Sequence, residues 1–423
     1  MKYILTTTPL LLAILSPSVL ADSLSEVYNL AKQNDPQLIQ AAAERESAFE
    51  SINSTRSALL PQIDLTAGYQ YQDSDRHTSD GSSTNVNLGL SQSIYDRSSW
   101  IALDISEMSA RESDAQYAAT QQAVIYKVTE AYFDVLKAED NLGFIKAEKA
   151  AVAKQLKQTE ERFDVGIAPI TDVQDAKAQY DNVLAQEIQA QNSVENEYEN
   201  LRAITGVRPD KLAILNTQMF SASEPKETPE MLVAKATSEN LEILADRIQK
   251  DIAKQQISLA QSDHLPTISL TSDYNYSKNY NEPNNPLTGQ QMDDDENQFN
   301  LGVSIALPVY TGGRITSEGK QAEYQFIAAS QALESTYRSV QQDVRAYNNN
   351  IRSSIGSIKA YTQSVVSAKS ALSATEEGFQ VGTRTIVDVL ESTQALYQAN
   401  KNLADARYQY ILSQVQLKQA LGT

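Results

Sequence analysis

The chain has 423 residues, no cysteine, two histidines, one tryptophan and 54 acidic against 35 basic side chains, a net charge of −19. The absence of thiols excludes a disulfide framework and Cys-ligated metal centres, two histidines are few for a dedicated metal enzyme, and a pI near 4.6 argues against a nucleic-acid partner. A hydrophobic share of 41% and a mean hydropathy of −0.41 describe a chain short of bulky core, which points to extended surfaces.

Residues 1–21 read as a secretory signal. Lys2 precedes an apolar run from Ile4 to Leu15, and Ser16 to Ala21 supplies small residues for cleavage, so the mature chain starts at Asp22. No later stretch approaches the roughly 18 to 20 apolar residues of a spanning helix. Any membrane span must therefore be built from strands. The first strand sets Ile63, Leu65, Ala67, Tyr69 and Tyr71 against Asp64, Thr66, Gly68, Gln70 and Gln72. The second sets Val86, Leu88, Leu90 and Ile94 against Asn85, Asn87, Gly89, Ser91 and Ser93. A one-sided apolar band with tyrosines near one end fits a transmembrane strand of roughly 9 to 11 residues. By themselves these strands fit a soluble sandwich sheet as well.

After the second strand the period changes. Val124, Val128, Ala131, Val135, Ala138, Leu142, Ile145, Lys149, Val152, Leu156, Thr159 and Phe163 follow 4-3 spacing without a slip. That 3.5-residue period predicts a coiled-coil seam. Ser98 to Phe163 contains no proline, so a helix of about 100 Å can form. A turn at Val165-Gly166 leads into a shorter return helix, about Thr171 to Leu201. A linker with three prolines, 207–229, follows.

The whole pattern then repeats. Leu60-Pro61-Gln62-Ile63 returns as Leu265-Pro266-Thr267-Ile268, Asn87-Leu88-Gly89 as Asn300-Leu301-Gly302, and Phe163-Asp164-Val165-Gly166 as Phe379-Gln380-Val381-Gly382. The chain reads as two copies of one unit, 22–206 and 230–423, each a helix, a β-hairpin and a long helical hairpin. In the second copy Ile268, Leu270, Tyr274 and Tyr276 alternate with polar partners, as do Phe299, Leu301, Val303, Ile305, Leu307 and Val309. The seam returns in register from Val340 and Val344 through Leu372 and Thr375 to Phe379. The main insertion of the second copy is a loop from Asn281 to Glu296 that ends in Asp293-Asp294-Asp295-Glu296, which reads as solvated surface with cation binding as a minor option. Four strands cannot close a barrel and lipid tolerates no open edge, so a spanning sheet requires several chains in one barrel. Two chains give a filled barrel and three give twelve strands with a lumen.

The repeat, the Leu-Leu-Pro-Gln strand start and above all Gln380-Val381-Gly382-Thr383-Arg384-Thr385-Ile386-Val387-Asp388-Val389-Leu390 resemble the TolC family of outer-membrane efflux channels. A weaker counterpart runs from Asp164 to Val173. The resemblance implies a mixed α/β membrane protein in the bacterial outer membrane, extending into the periplasm. A homotrimer would form a twelve-stranded transmembrane β-barrel continuous with a coiled-coil α-helical barrel. Its partners would be outer-membrane lipid, a periplasmic adaptor (membrane fusion) protein and an inner-membrane transporter of RND, ABC or MFS type. It would serve multidrug export and type I secretion as a passive duct, without cofactor and gated at its periplasmic end. The tail found beyond this point in some relatives would be absent or trimmed.

Thr171-x-x-Gln174 and Thr385-x-x-Asp388 read as capping boxes that open the return helices. Asp388 and Glu391 lie on one helix face. Both serve as first-turn carboxylates favoured by the helix dipole, and the resemblance places the family's selectivity ring on them. Carboxylates crowded into such a ring titrate as a set, above an isolated carboxylate. Arg384 can pair with Asp388 on its own helix; the resemblance instead pairs it with Thr171 and Asp172 of the neighbouring helical hairpin, as a latch. A family tyrosine commonly adds a second link, but this chain has Phe379 there, which predicts a more weakly latched gate. Gly166 and Gly382, each after a valine, supply positive-φ turns. The resemblance makes Val165, Gly166, Val381 and Gly382 the tips that meet the adaptor. His77 and His264 are too few to build a site, and no phosphate loop, His-Glu-x-x-His or Gly-x-Ser-x-Gly occurs. The competing reading is a periplasmic or surface coiled-coil scaffold or adhesin that conducts nothing.

Overall fold

The computed structural model describes residues 23–73, 81–280 and 295–423. The signal segment, His77 and residues 281–294 of the long loop lie outside the described residues. No helix among the described residues is long and apolar enough to cross a membrane.

Helix α1 (Leu24–Asn34) opens on a capping box in which Ser23 and Glu26 satisfy each other's backbone N–H groups. Asp35 is extended, and α2 (Pro36–Ser57) starts directly after it. One helix was expected before each β-hairpin; two are found. Proline disfavours the helical conformation of the preceding residue, so Pro36 forces the break at Asp35. The same break separates α5 (Pro229–Glu239) from α6 (Leu241–Ser262), where the Asn240 side chain accepts from the N–H groups of Glu242 and Ile243.

Strands β1 (Gln62–Gln72), β2 (Gly81–Tyr95), β3 (Thr267–Tyr280) and β4 (Asp295–Ala306) form one antiparallel sheet in sequence order. Its register aligns the two predicted faces across all four strands. Leu65, Leu88, Tyr274 and Phe299 stand in one apolar row, and Ile63, Leu90, Ser272 and Leu301 in the next. The opposite face carries the rows Asp64, Gly89, Asp273, Asn300 and Thr66, Asn87, Asn275, Gln298. Three details differ from expectation. A bulge makes Ile94 the extra residue and sets Tyr95 opposite Ile268. β4 stops at Ala306 rather than running to Val309, because Pro308 has no N–H for the ladder. The acidic run does not remain wholly in a loop: Asp295 and Glu296 open β4, and Asp295 pairs with Lys278 across the ladder at 2.9 Å. Both β1 and β4 are edge strands, exposed on both faces.

The long helices are α3 (Arg97–Asp164) and α7 (Arg314–Gln380), followed by the return helices α4 (Ile170–Thr205) and α8 (Ile386–Ala420). Seam residues Val124, Val128, Val135, Val152, Val340, Val344 and Ile351 are buried, and of both seams Phe163 alone is exposed. The chain forms two compact units: residues 1–35, 124–224 and 352–412, and residues 36–123, 225–351 and 413–423. The second contains the sheet. In it Arg45 of α2 pairs with Asp114 of α3, and Asp246 of α6 accepts from Thr336 of α7. In the first unit the consecutive acids of α3 bind two helices: Glu139 accepts from Tyr198 of α4 at 2.8 Å and Asp140 from Tyr408 of α8 at 2.7 Å. Fully buried Asp35 pairs with Lys127 at 2.9 Å.

The C-terminal end of α4 docks on the break after α1. Asn34 donates to the Thr205 carbonyl at 2.9 Å, and the cap Gly206 has φ 74° with the Asn34 Cβ 3.2 Å from where its own Cβ would stand. Gly206→Ala should therefore destabilise the chain by about 1–2 kcal/mol, the cost of a left-handed non-glycine residue. A lowered melting midpoint by circular dichroism checks this; an unchanged midpoint refutes it.

Candidate functional site

Every residue singled out for gating or docking falls in the first compact unit. The two hairpin tips are built alike. At the first, the Ile167 N–H reaches the Arg162 carbonyl and the Gly166 N–H the Phe163 carbonyl, both at 2.8 Å. At the second, Thr383 N–H reaches Gly378 at 2.8 Å and Gly382 N–H reaches Phe379 at 3.2 Å. These are paired Schellman bonds, and they require the positive φ seen at Gly166 and Gly382, 74° and 78°. Val165 and Val381 precede them, both strongly exposed.

The helix starts beyond the tips differ. At α8 the predicted capping box forms: the Thr385 N–H and hydroxyl donate to Asp388 Oδ2 at 2.8 and 2.9 Å, and the Asp388 N–H donates to Thr385 Oγ1 at 3.2 Å. At α4 it does not. Pro169 occupies the N-cap without a side-chain bond, and Thr171 lies inside the first turn. Proline's preset φ starts that helix instead, which leaves Thr171 and Asp172 free of the capping role. The hydrogen bonds from Thr385, with a smaller contribution from Arg384, hold the Asp388 carboxyl below its ordinary range. Glu391 is exposed one turn further on, while Ile386, Val389 and Leu390 are buried on the opposite face.

Among the described residues of one chain the Arg384 guanidinium pairs with Asp388, at 4.0 Å, and has no bond to Thr171 or Asp172. Its place is set by Gly378. A Cβ there would stand 2.7 Å from Arg384 Cγ and 3.4 Å from its Cβ, so the chain folds back over the end of α7 only because position 378 is bare. Phe379 has a partner within the chain. Arg162 of α3 lies over its ring at 4.6 Å and donates to its carbonyl at 3.4 Å. The same ring packs on the core of Val152, Ala176, Ile386 and Leu390, with Leu156 and Tyr180. Beside it is a groove of about 390 Å³ lined by Lys154, Glu161, Arg162, Val165 and Gln380.

Sequence reasoning missed Arg162 and Gly378. The only signal was a glycine in the last turn of a long helix, a costly choice that marks a need for room.

The sequence profile of outer membrane efflux proteins matches residues 27–207 and 232–423. The chain belongs to the outer membrane efflux protein family. It is 55% identical to the outer membrane protein TolC of Vibrio cholerae, over 97% of this chain and 93% of that one. Identity to TolC of Escherichia coli is 46%, over 95% and 83%. The fold matches the crystal structure of the Campylobacter jejuni CmeC outer membrane channel with a TM-score of 0.81 at 19% identity, covering 94% and 85% of the two chains. This efflux-family chain is an outer-membrane channel protein that extends into the periplasm, from a family of transport proteins rather than enzymes.

Proposed function

We propose that three copies form one exit duct for drug efflux and type I secretion, gated at the helical tips. The carrying observation is the sheet. Its register gathers Ile63, Leu65, Leu88, Leu90, Tyr274, Phe299 and Leu301 on one face, and Ile63, Leu65, Tyr69 and Tyr71 of β1 are 66–69% exposed while Phe299, Leu301, Val303 and Ile305 of β4 are 66–70% exposed. A sheet with such a face and two unpaired edges is unsuited to water, whereas lipid covers the face and neighbouring chains must pair the edges. Three chains give twelve strands, with the polar rows lining a lumen large enough for passage. The helical hairpins then continue the duct as an α-barrel. The two efflux-profile matches and the paired helix breaks at Asp35 and Asn240 support two repeats, 22–206 and 230–423, joined by 207–229.

In this reading Asp388 and Glu391 contribute six carboxylates to a ring at the gate, and Arg384 latches the tips by reaching Thr171 and Asp172 of the neighbouring hairpin. The adaptor docks on Val165, Gly166, Val381 and Gly382, and an inner-membrane transporter supplies cargo and energy. Opening is a change of superhelicity at the helical end. A scaffold or adhesin without conductance accounts for the helices but not for the two-faced sheet. The purified chain is expected to run as a trimer by light scattering in detergent and to form cation-preferring pores in a planar bilayer. A monomer that conducts nothing would overturn the proposal.

A further inference from the structure

Away from the tips, α3, α4 and α8 of the first unit enclose a groove of about 300 Å³. Glu148 lines it and is only 6% exposed, yet makes no hydrogen bond or ion pair with any described residue. Burial pushes its carboxyl above the ordinary range, and burial together with Glu148 pushes the Tyr397 phenol up as well. The Glu148 oxygens are not fully buried, so they open onto the groove, where a cation can pair with them. Lys401 lines the same groove but forms no ion pair there.

The rest of the lining is specific in type. Gln186, Gln189 and Gln394 line it with side-chain amides, and Gln398, also in the lining, donates to Asn402 at 2.8 Å. Phe144 and Tyr397 add two aromatic rings. Amides recognise hydroxyl groups, aromatic rings cover a carbon framework, and an isolated carboxylate recognises an ammonium. The volume lies at the lower end for small-molecule sites.

We propose that this groove binds small hydroxylated amines of the amino-sugar class, with the ammonium paired to Glu148 and the hydroxyls held by the glutamine amides.

The test uses the purified full chain in detergent, with glucosamine as probe and glucose and tetramethylammonium as comparisons, read by calorimetry. Glucosamine is expected to bind at least about tenfold tighter than either comparison, because an ion pair in a half-enclosed site exceeds a neutral hydrogen bond by that factor or more. Glu148→Gln should reduce glucosamine to the level of glucose. Equal binding of glucosamine and glucose, or unchanged affinity in Glu148→Gln, would each overturn the proposal. Tetramethylammonium binding as tightly as glucosamine would overturn the role of the amides. Should Glu148→Gln not fold, the parent chain decides alone: its melting midpoint must rise with glucosamine and not with glucose.

Discussion

Replacing Asp388 by Asn together with Glu391 by Gln should abolish the cation preference of the pore, bringing a several-fold excess of cation over anion permeability close to unity. In the proposed trimer, six carboxylates around one aperture would raise the local cation concentration and deplete anions, and a narrow low-dielectric wall would strengthen the field. The substitution isolates charge from shape. Asp388 accepts two bonds from Thr385 through Oδ2, and an asparagine carbonyl can accept the same bonds, so the start of α8 is preserved. Reversal potentials across a salt gradient read the result; an unchanged preference would remove these residues from the conducting path. The pH dependence has a definite sign. Asp388 is held below its ordinary range by Thr385, so it keeps its charge as acid is added, and its contribution to stability is lost only as pH falls through that lowered value. Crowding in a ring acts the opposite way. Cation preference should therefore fade over a broad acidic range rather than in one step.

Arg384→Ala should open a leak. Among the described residues its guanidinium has one ion pair, the exposed 4.0 Å approach to Asp388, and exposed pairs of this kind contribute little to stability. The variant should melt as the parent does, so increased uptake of a large antibiotic normally excluded by the outer membrane, or a raised resting conductance, would report the link between hairpins. Gly378→Ala is the complementary variant. It keeps the guanidinium but places a Cβ 2.7 Å from Arg384 Cγ, so it should leak to a comparable degree. A leak in neither variant would exclude the latch. Arg162 lies over Phe379 within each chain, so it provides a hold at the tip that both variants leave intact.

What can be read from the chain alone is what depends on near neighbours. Period-two alternation marked all four strands, the 4-3 spacing marked the seams of α3 and α7, and Val-Gly marked both tips, because strand pleat, helical pitch and left-handed turns are set within a few residues. The capping box was right at Thr385 and wrong at Thr171, where Pro169 starts the helix by a different local device. Pro308 likewise shortened β4. Even these errors were local in cause.

Tertiary structure decided the rest. Arg162 meets Phe379 across 217 positions, Gln155 meets Thr393 across 238, and Glu148 lines its groove only once α4 and α8 lie against α3. Such contacts depend on how one helix is rotated and shifted against another, and a shift of one residue along a helix turns a side chain by about 100°. The heptad pattern says which face is buried but not which partner residue stands opposite, so the seams were legible while the arginine over the ring, the bare Gly378 and the unpaired acid were not.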